Sequence, residues 1–284
     1  MVLSGEALGE RLEKGEGEVK YPILMLHGMG FRDDGRIGYW GRIPKALESA
    51  GYKVYYGRQD SSASIEVNAR QIADSLEEIL KSVNTDKVNI IAHSKGGLEA
   101  RYLASALGYG DRIASISTLS TPHNGSKTVD RLMRFPDGLI RVGCKAADLW
   151  FRLLGDKHPD TYKAINAFKT ESAERFNREN PDVEGIYYQS YAFVMRHAWS
   201  DMLMWLPSLV VHFIEGENDG LLTPDNARWG EFRGIVRGNT NRGISHCDEV
   251  DMRRRPLSRK EGEGIKDITE LYVRIANGLE EKGF

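Results

Sequence analysis

Residues 90–97 read I-I-A-H-S-K-G-G. An apolar run, Val88–Ala92, stops at a serine and turns at once into two glycines. A buried strand that ends this way and reverses into a helix crowds its own turn, so the residues two before and two after the serine must be small. Here they are Ala92 and Gly96, with alanine where the pattern G-x-S-x-G has its first glycine. The following residues, Leu98–Leu107, have helical spacing. Strand, sharp turn and helix together put the Ser94 hydroxyl at the carboxyl edge of a sheet, where open α/β sheets bind ligands. Ser94 is therefore a candidate nucleophile, and the rest of the chain must supply its partners.

Working outward, strand and helix patterns alternate. Tyr21–Leu26 is an apolar run ending in H-G-M-G, and Lys53–Tyr56, Ile113–Leu119, Ile186–Ala192 and Leu209–Ile214 read as further strands. Trp40–Ala50 has helical spacing closed by Gly51. Ile72, Leu76, Ile79, Leu80 and Val83 mark one face of an amphipathic helix over Ile65–Val83, and Ile268, Leu271, Tyr272, Ile275 and Leu279 do the same within Ile265–Leu279. Near-continuous apolar strands alternating with helices predict an α/β fold: a mostly parallel sheet covered on both faces. Residues 128–181 carry no strand signal. They read as a helical cap or lid inserted into a core formed by residues 1–127 and 182–284.

A serine hydroxyl is a poor nucleophile without a base, and the base needs an orienting carboxylate. In strand–elbow–helix hydrolases the order is serine, acid, histidine. Of the seven histidines, only His246 follows the acidic stretch E-N-D-G-L-L (217–222), which itself follows the expected strand Leu209–Ile214. Asp219 is the candidate acid, with Glu217 and Asp225 as positional alternatives. An oxyanion needs backbone N–H donors. Lys95 supplies one as the residue after the nucleophile, and Met29, in the glycine-bracketed loop after the first strand, supplies the other.

The chain has 284 residues, ample for one large domain, and a net charge of −2, which gives no basic field for nucleic acid. No stretch is long and apolar enough to span a bilayer. The polar first twenty residues read as a loose leader without the basic and apolar regions of a signal peptide. The expectation is a cytoplasmic protein, or a secreted one if an export signal has been removed. Cys144 and Cys247 have no framework spacing and read as free thiols. The stripe Leu149, Trp150, Leu153, Leu154 is spaced as one helix face, and Trp205 lies in a second apolar stretch, A-W-S-D-M-L-M-W-L-P. Such stripes are usually core; the alternative is a lid over an acyl pocket that opens at a lipid interface.

Taken together, Y-P-I-L-M-L-H-G-M-G-F, G-Y-W-G-R-I-P-K-A-L, K-V-N-I-I-A-H-S-K-G-G, S-T-P-H-N-G-S, N-D-G-L-L and H-C-D-E-V resemble, in order, blocks of bacterial true lipases of the α/β-hydrolase superfamily and their esterase relatives. The resemblance covers about residues 21–250. It implies Ser94, Asp219 and His246 as triad and hydrolysis of acyl esters or lipids through an acyl-enzyme, with no redox cofactor. It also implies a structural Ca²⁺ near His246, held by Asp201 and Asp248 with backbone carbonyls of Met252 and Pro256, an oxygen-only set that suits this ion. The sequence departs from that pattern in M-R-R-R-P (252–256), and the alternatives for the two aspartates are solvated carboxylates or a salt bridge to Arg253–Arg255. The basic run, with Arg259 and Lys260, reads as a solvated loop because Glu261 and Glu263 follow. Polyester hydrolysis, acyl transfer and a non-catalytic binding role are the other readings of the same residues.

Overall fold

Strands β1 (Ile23–Leu26) and β3 (Val88–His93) are buried at every position. Continuous burial is what a central strand with helices on both faces requires, and it explains apolar runs without alternation. The structure is a computed structural model describing residues 21–30, 32–33, 38–259 and 262–284. The leader expected over the first twenty residues, and Lys260 with Glu261, lie outside these.

Strands β2 (Val54–Tyr56), β4 (Ile113–Leu119), β5 (Tyr187–Phe193) and β6 (Glu231–Val236) complete a six-stranded sheet in the order β2-β1-β3-β4-β5-β6. Every pairing is parallel. On one face pack helices α1 (Ile43–Ser49) and, from the far end of the chain, α10 (Ile268–Glu281), joined by Trp40 and Tyr272. On the other lie α2 (Ile65–Val83) and α3 (Lys95–Ala104), whose Ile72, Leu76, Leu80, Ala100 and Leu103 meet Leu24, Leu26 and Ile90. Each fully buried Leu or Ile contributes about 1.5–3 kcal/mol, so these two layers hold the sheet edge that carries the elbow.

Between β4 and β5 run four helices: α4 (Lys127–Leu132), α5 (Asp137–Leu153), α6 (Thr161–Asn166) and α7 (Thr170–Glu179). Part of their attachment to the core is polar. Asp156 accepts hydrogen bonds from the backbone and hydroxyls of Ser61 and Ser62, and Asp60 accepts from the N–H groups of Lys157 and His158.

The structure corrects one strand of the sequence reading. Leu209–Ile214 is not a strand; it lies within helix α8 (Trp205–Glu215), so His212 is helical. Pro207 is tolerated in the first turn of a helix, and Gly216 ends this one at φ 103°. A short apolar run does not by itself distinguish strand from buried helix. The sixth strand is instead Glu231–Val236, bulged against β5 between Ser190 and Ala192. Glu231 and Arg233 interrupt its apolar pattern, which hides it from a search for apolar runs.

Candidate active site

Ser94 ends β3 with φ 53° and ψ −127°, a conformation that L-residues seldom adopt. Strain of this kind costs on the order of 1–3 kcal/mol and persists only where neighbours enforce it. Two glycines show how tightly they do. A Cβ on Gly96 would lie 2.5 Å from the Leu26 carbonyl oxygen, and one on Gly28 would lie 2.7 Å from Ser94 Cβ. Ala92, where the pattern has glycine, is fully buried in register with Thr118, so its methyl has been absorbed by the sheet. Lys95 begins α3, where the first N–H groups have no partner within the helix. Met29 follows Gly28 in the loop held against Ser94.

The Lys95 side chain turns under the elbow. Its ammonium bonds the Ala63 carbonyl at 2.8 Å and pairs with Glu99 at 2.6 Å, both groups fully buried. Asn68 donates to the same carboxylate at 2.7 Å. The helix carrying the elbow is thus pinned by a closed polar cluster on its inner side.

Asp219 lies between α8 and a short helix, α9 (Pro224–Ala227). The Met195 N–H donates to the Asn218 carbonyl at 2.8 Å, so the excursion containing α8 returns beside the end of β5 and delivers Asp219 to the sheet edge. The Asp219 carboxylate faces His246, with Oδ2 2.9 Å from Nδ1, while the His246 N–H bonds the Asp219 carbonyl at 2.8 Å. Burial alone would push this carboxyl up. The facing imidazole and the Leu221 and Leu222 N–H donors outweigh it and hold Asp219 well below the usual carboxylate range. The alternatives Glu217 and Asp225 are both exposed. The His246 ring packs 4.4 Å, centroid to centroid, from that of His93, the neighbour of Ser94.

Sequence reasoning missed a second buried carboxyl. Glu249 is fully buried and meets His93 Nε2 at 3.1 Å and the Ser120 hydroxyl at 3.0 Å, with Oε1 3.9 Å from His246 Nδ1. Burial, then the nearby Asp219 charge, raises its pKa well above the ordinary value. Gly28 N–H donates to Tyr39 Oη at 3.0 Å, so the phenol donates onward to His93 Nδ1 at 2.7 Å and the other His93 nitrogen carries the proton toward Glu249. A continuous network therefore links the glycine loop to the acid side of the site. The available signal was spacing: Glu249 is three residues after His246, on the same turn.

The expected calcium set does not fit. Arg253 stands between the two aspartates, its Nη2 3.0 Å from Asp201 Oδ2 and its Nε 2.9 Å from Asp248 Oδ1. Asp201 Oδ2 also accepts the Ser245 hydroxyl at 2.7 Å. Pro256 is exposed, and Met252 packs against the core. A guanidinium already occupies the position between the carboxylates, and its charge would repel a second cation.

The cap stripe is not core. Trp150, Leu153 and, on α8, Phe213 are 59%, 74% and 81% exposed, and Leu149, Leu154 and Trp205 are exposed with them. The polar side of α5 faces the protein instead: Asp148 accepts the Thr161 N–H, and Asp137 accepts the Tyr162 hydroxyl. Cys144 and Cys247 are both buried free thiols. Burial holds the Cys247 thiol at about 12, so it is inert beside His246.

Known proteins are similar to this chain in sequence or in structure. Triacylglycerol lipase 2 of Saccharomyces cerevisiae is 29% identical over 87% of this chain and 75% of its own length. The triacylglycerol lipase of Vibrio cholerae is 28% identical over 95% and 91%. A metagenomic carboxyl esterase of known structure superimposes with a TM-score of 0.70 over 94% of this chain and 78% of its own, at 18% identity. The resemblance to lipases read from the sequence and the hydrolase fold that it implied are thereby borne out. The family described as palmitoyl protein thioesterase matches residues 22–270. That match takes in the elbow, the facing Asp219–His246 pair and all six strands of the sheet, and the chain belongs to this family.

Proposed function

We propose that this chain is a serine hydrolase of carboxylic esters with medium or long acyl chains, a lipase or esterase. The observation that carries the reading is the buried Asp219–His246 pair on the sheet edge beside the strained Ser94 elbow. Because Nδ1–H of His246 donates to Asp219, Nε2 is left to accept a proton. Ser94 Oγ attacks the acyl carbonyl as its proton passes to Nε2. The carbonyl oxygen becomes an oxyanion bound by the Met29 and Lys95 N–H groups. His246 then protonates the leaving alcohol, the ester C–O bond breaks, and the acyl-enzyme remains. Water adds to that acyl group while giving its proton to His246. The tetrahedral intermediate expels Ser94 Oγ, which recovers the proton, and the acid departs. No group beyond the chain and water takes part.

The apolar faces of α5 and α8 support an aggregated or long-chain substrate. A helix whose polar side packs inward presents its apolar side to something other than the core. Leu139, Val142, Leu149, Trp150 and Leu153 form such a face on α5. The family match favours one further substrate class, acyl thioesters, which pass through the same acyl-enzyme with a thiol as leaving group. The test is hydrolysis of p-nitrophenyl esters from acetyl to palmitoyl, with Ser94→Ala as blank. The reading predicts a maximum at octanoyl or longer that vanishes in the variant. A rate maintained by Ser94→Ala overturns the nucleophile.

A further inference from the structure

We propose that the Arg253 guanidinium does the work of a structural divalent cation, fixing the catalytic histidine's loop to the acid's excursion and making the enzyme independent of calcium. The proposal rests on the hydrolase reading only for the meaning of its activity readout. The two tied segments are distant in sequence. Asp201 opens the excursion that ends at Asp219, and Asp248 lies two residues beyond His246. Arg253 reaches both carboxylates with different nitrogens at 2.9 and 3.0 Å, and Nη2 also donates to the Ser200 carbonyl at 2.9 Å. That carbonyl also accepts from Arg242.

The surrounding bonds complete a closed set. Asp201 Oδ1 takes the Leu203 N–H at 2.9 Å, and Oδ2 takes the Ser245 hydroxyl. The same hydroxyl accepts the Asp248 N–H at 3.1 Å, while Asp248 Oδ2 takes the Ser245 N–H at 3.3 Å. Ser245 directly precedes His246, so its position is set from both sides. Two nearly buried carboxylates this close need a positive charge between them. A planar guanidinium supplies that charge with directed N–H donors, which also fix orientation. A calcium ion would supply it only while bound, at a cost in occupancy whenever free calcium is low. Arg253 is covalently part of the same loop as His246, so the tie is always present.

The test measures melting temperature and, separately, kcat and KM for a soluble p-nitrophenyl ester, with EDTA and with added CaCl₂. Wild type, Arg253→Met and Arg253→Lys are compared, and melting is also recorded for Ser94→Ala, where no activity exists to confuse the reading. The expected result is wild-type and Ser94→Ala melting unchanged by either addition. Arg253→Met should melt on the order of 5 °C lower and lose about tenfold in kcat with little change in KM. Calcium should raise both its melting temperature and its kcat, because two carboxylates are then left unbridged. Arg253→Lys, which keeps the charge without the fork, should fall between; it also serves if Arg253→Met does not fold. Chelator-induced loss of melting temperature in wild type or Ser94→Ala overturns the proposal, as does Arg253→Met with unchanged melting and kcat. Absence of hydrolysis in the wild type with chelator-independent melting would instead overturn the hydrolase reading and leave the tie standing.

Discussion

The floor of the site and the cap above the core invert the usual distribution of side chains in opposite ways. On the floor, charged and polar groups are buried: Lys95 with Glu99, and Asp219 and Glu249 around His246. On the cap, Trp150, Leu153 and Phe213 stand in solvent. Helix α2 provides the ordinary reference, with Ile72, Leu76 and Leu80 turned into the core. Both departures cost stability, so both call for a function. Buried charges gain strength from the low dielectric around them, which suits chemistry on a developing oxyanion. An outward apolar face lowers the free energy only when it meets another apolar surface. In the proposed reading the floor serves the reaction and the cap the form in which substrate arrives.

Removing the nucleophile breaks the floor most severely. Ser94→Ala should lower kcat by about 10³-fold or more while melting stays near wild type; initial rates with a calorimetric control check this. The reference helix should respond in stability alone. Leu76→Ala deletes a fully buried side chain and should cost about 2–5 kcal/mol, read from denaturant unfolding, with kcat per folded molecule unchanged.

Glu249 gives a subtler break with a defined sign. Its folded pKa is raised, chiefly by burial, so the folded state holds this proton more tightly than the unfolded chain does. Stability from this group is therefore fully present below the ordinary carboxylate range and declines as pH rises toward the raised folded value. Glu249→Gln keeps a polar side chain of the same size and cannot ionise. Melting curves from acid to neutral pH should show a flatter decline than wild type. Asp219 works in the opposite direction: its folded pKa is depressed, so its contribution is present above the ordinary carboxylate range and is lost as pH falls toward the lowered value.

The cap should yield the smallest effect and the most selective one. Replacing Leu149, Trp150 and Leu153 together with serine changes exposed positions, so stability should move by no more than about 1 kcal/mol. Rates on emulsified long-chain esters should fall about tenfold, the loss of roughly 1.4 kcal/mol of apolar contact with the aggregate, while rates on soluble p-nitrophenyl acetate hold. Equal losses on both substrates would place the cap in the reaction itself rather than in substrate capture.

These contrasts also separate what was legible in the sequence from what was not. Strands β1, β3 and β4 and helices α2 and α10 declare themselves because buried strands are apolar throughout and helix faces repeat at 3.6 residues. The facing of Asp219 and His246 followed from chain order, although the element expected just before Asp219 was a strand and is helix α8. Periodicity says which residues of α5 share a face; it does not say which way that face points, and the polar contacts of Asp137 and Asp148 decide that. Strand β6 is hidden because Glu231 and Arg233 interrupt it. The arginine run reads as a solvated loop, with a salt bridge to the two aspartates as one alternative to calcium; its member Arg253 is locked between Asp201 and Asp248, and a pairing that spans some fifty residues of chain is not fixed by any local pattern.

The most direct test of the division between floor and cap is the acyl-chain profile of wild type beside Ser94→Ala, taken with soluble and emulsified esters. The account predicts a rate maximum at octanoyl or longer, a rise when the substrate is presented as an emulsion, and no turnover in the variant. A maximum at acetyl or butyryl with no gain from emulsification would contradict it, leaving the floor as that of a short-chain esterase and the exposed face of the cap without a role in catalysis.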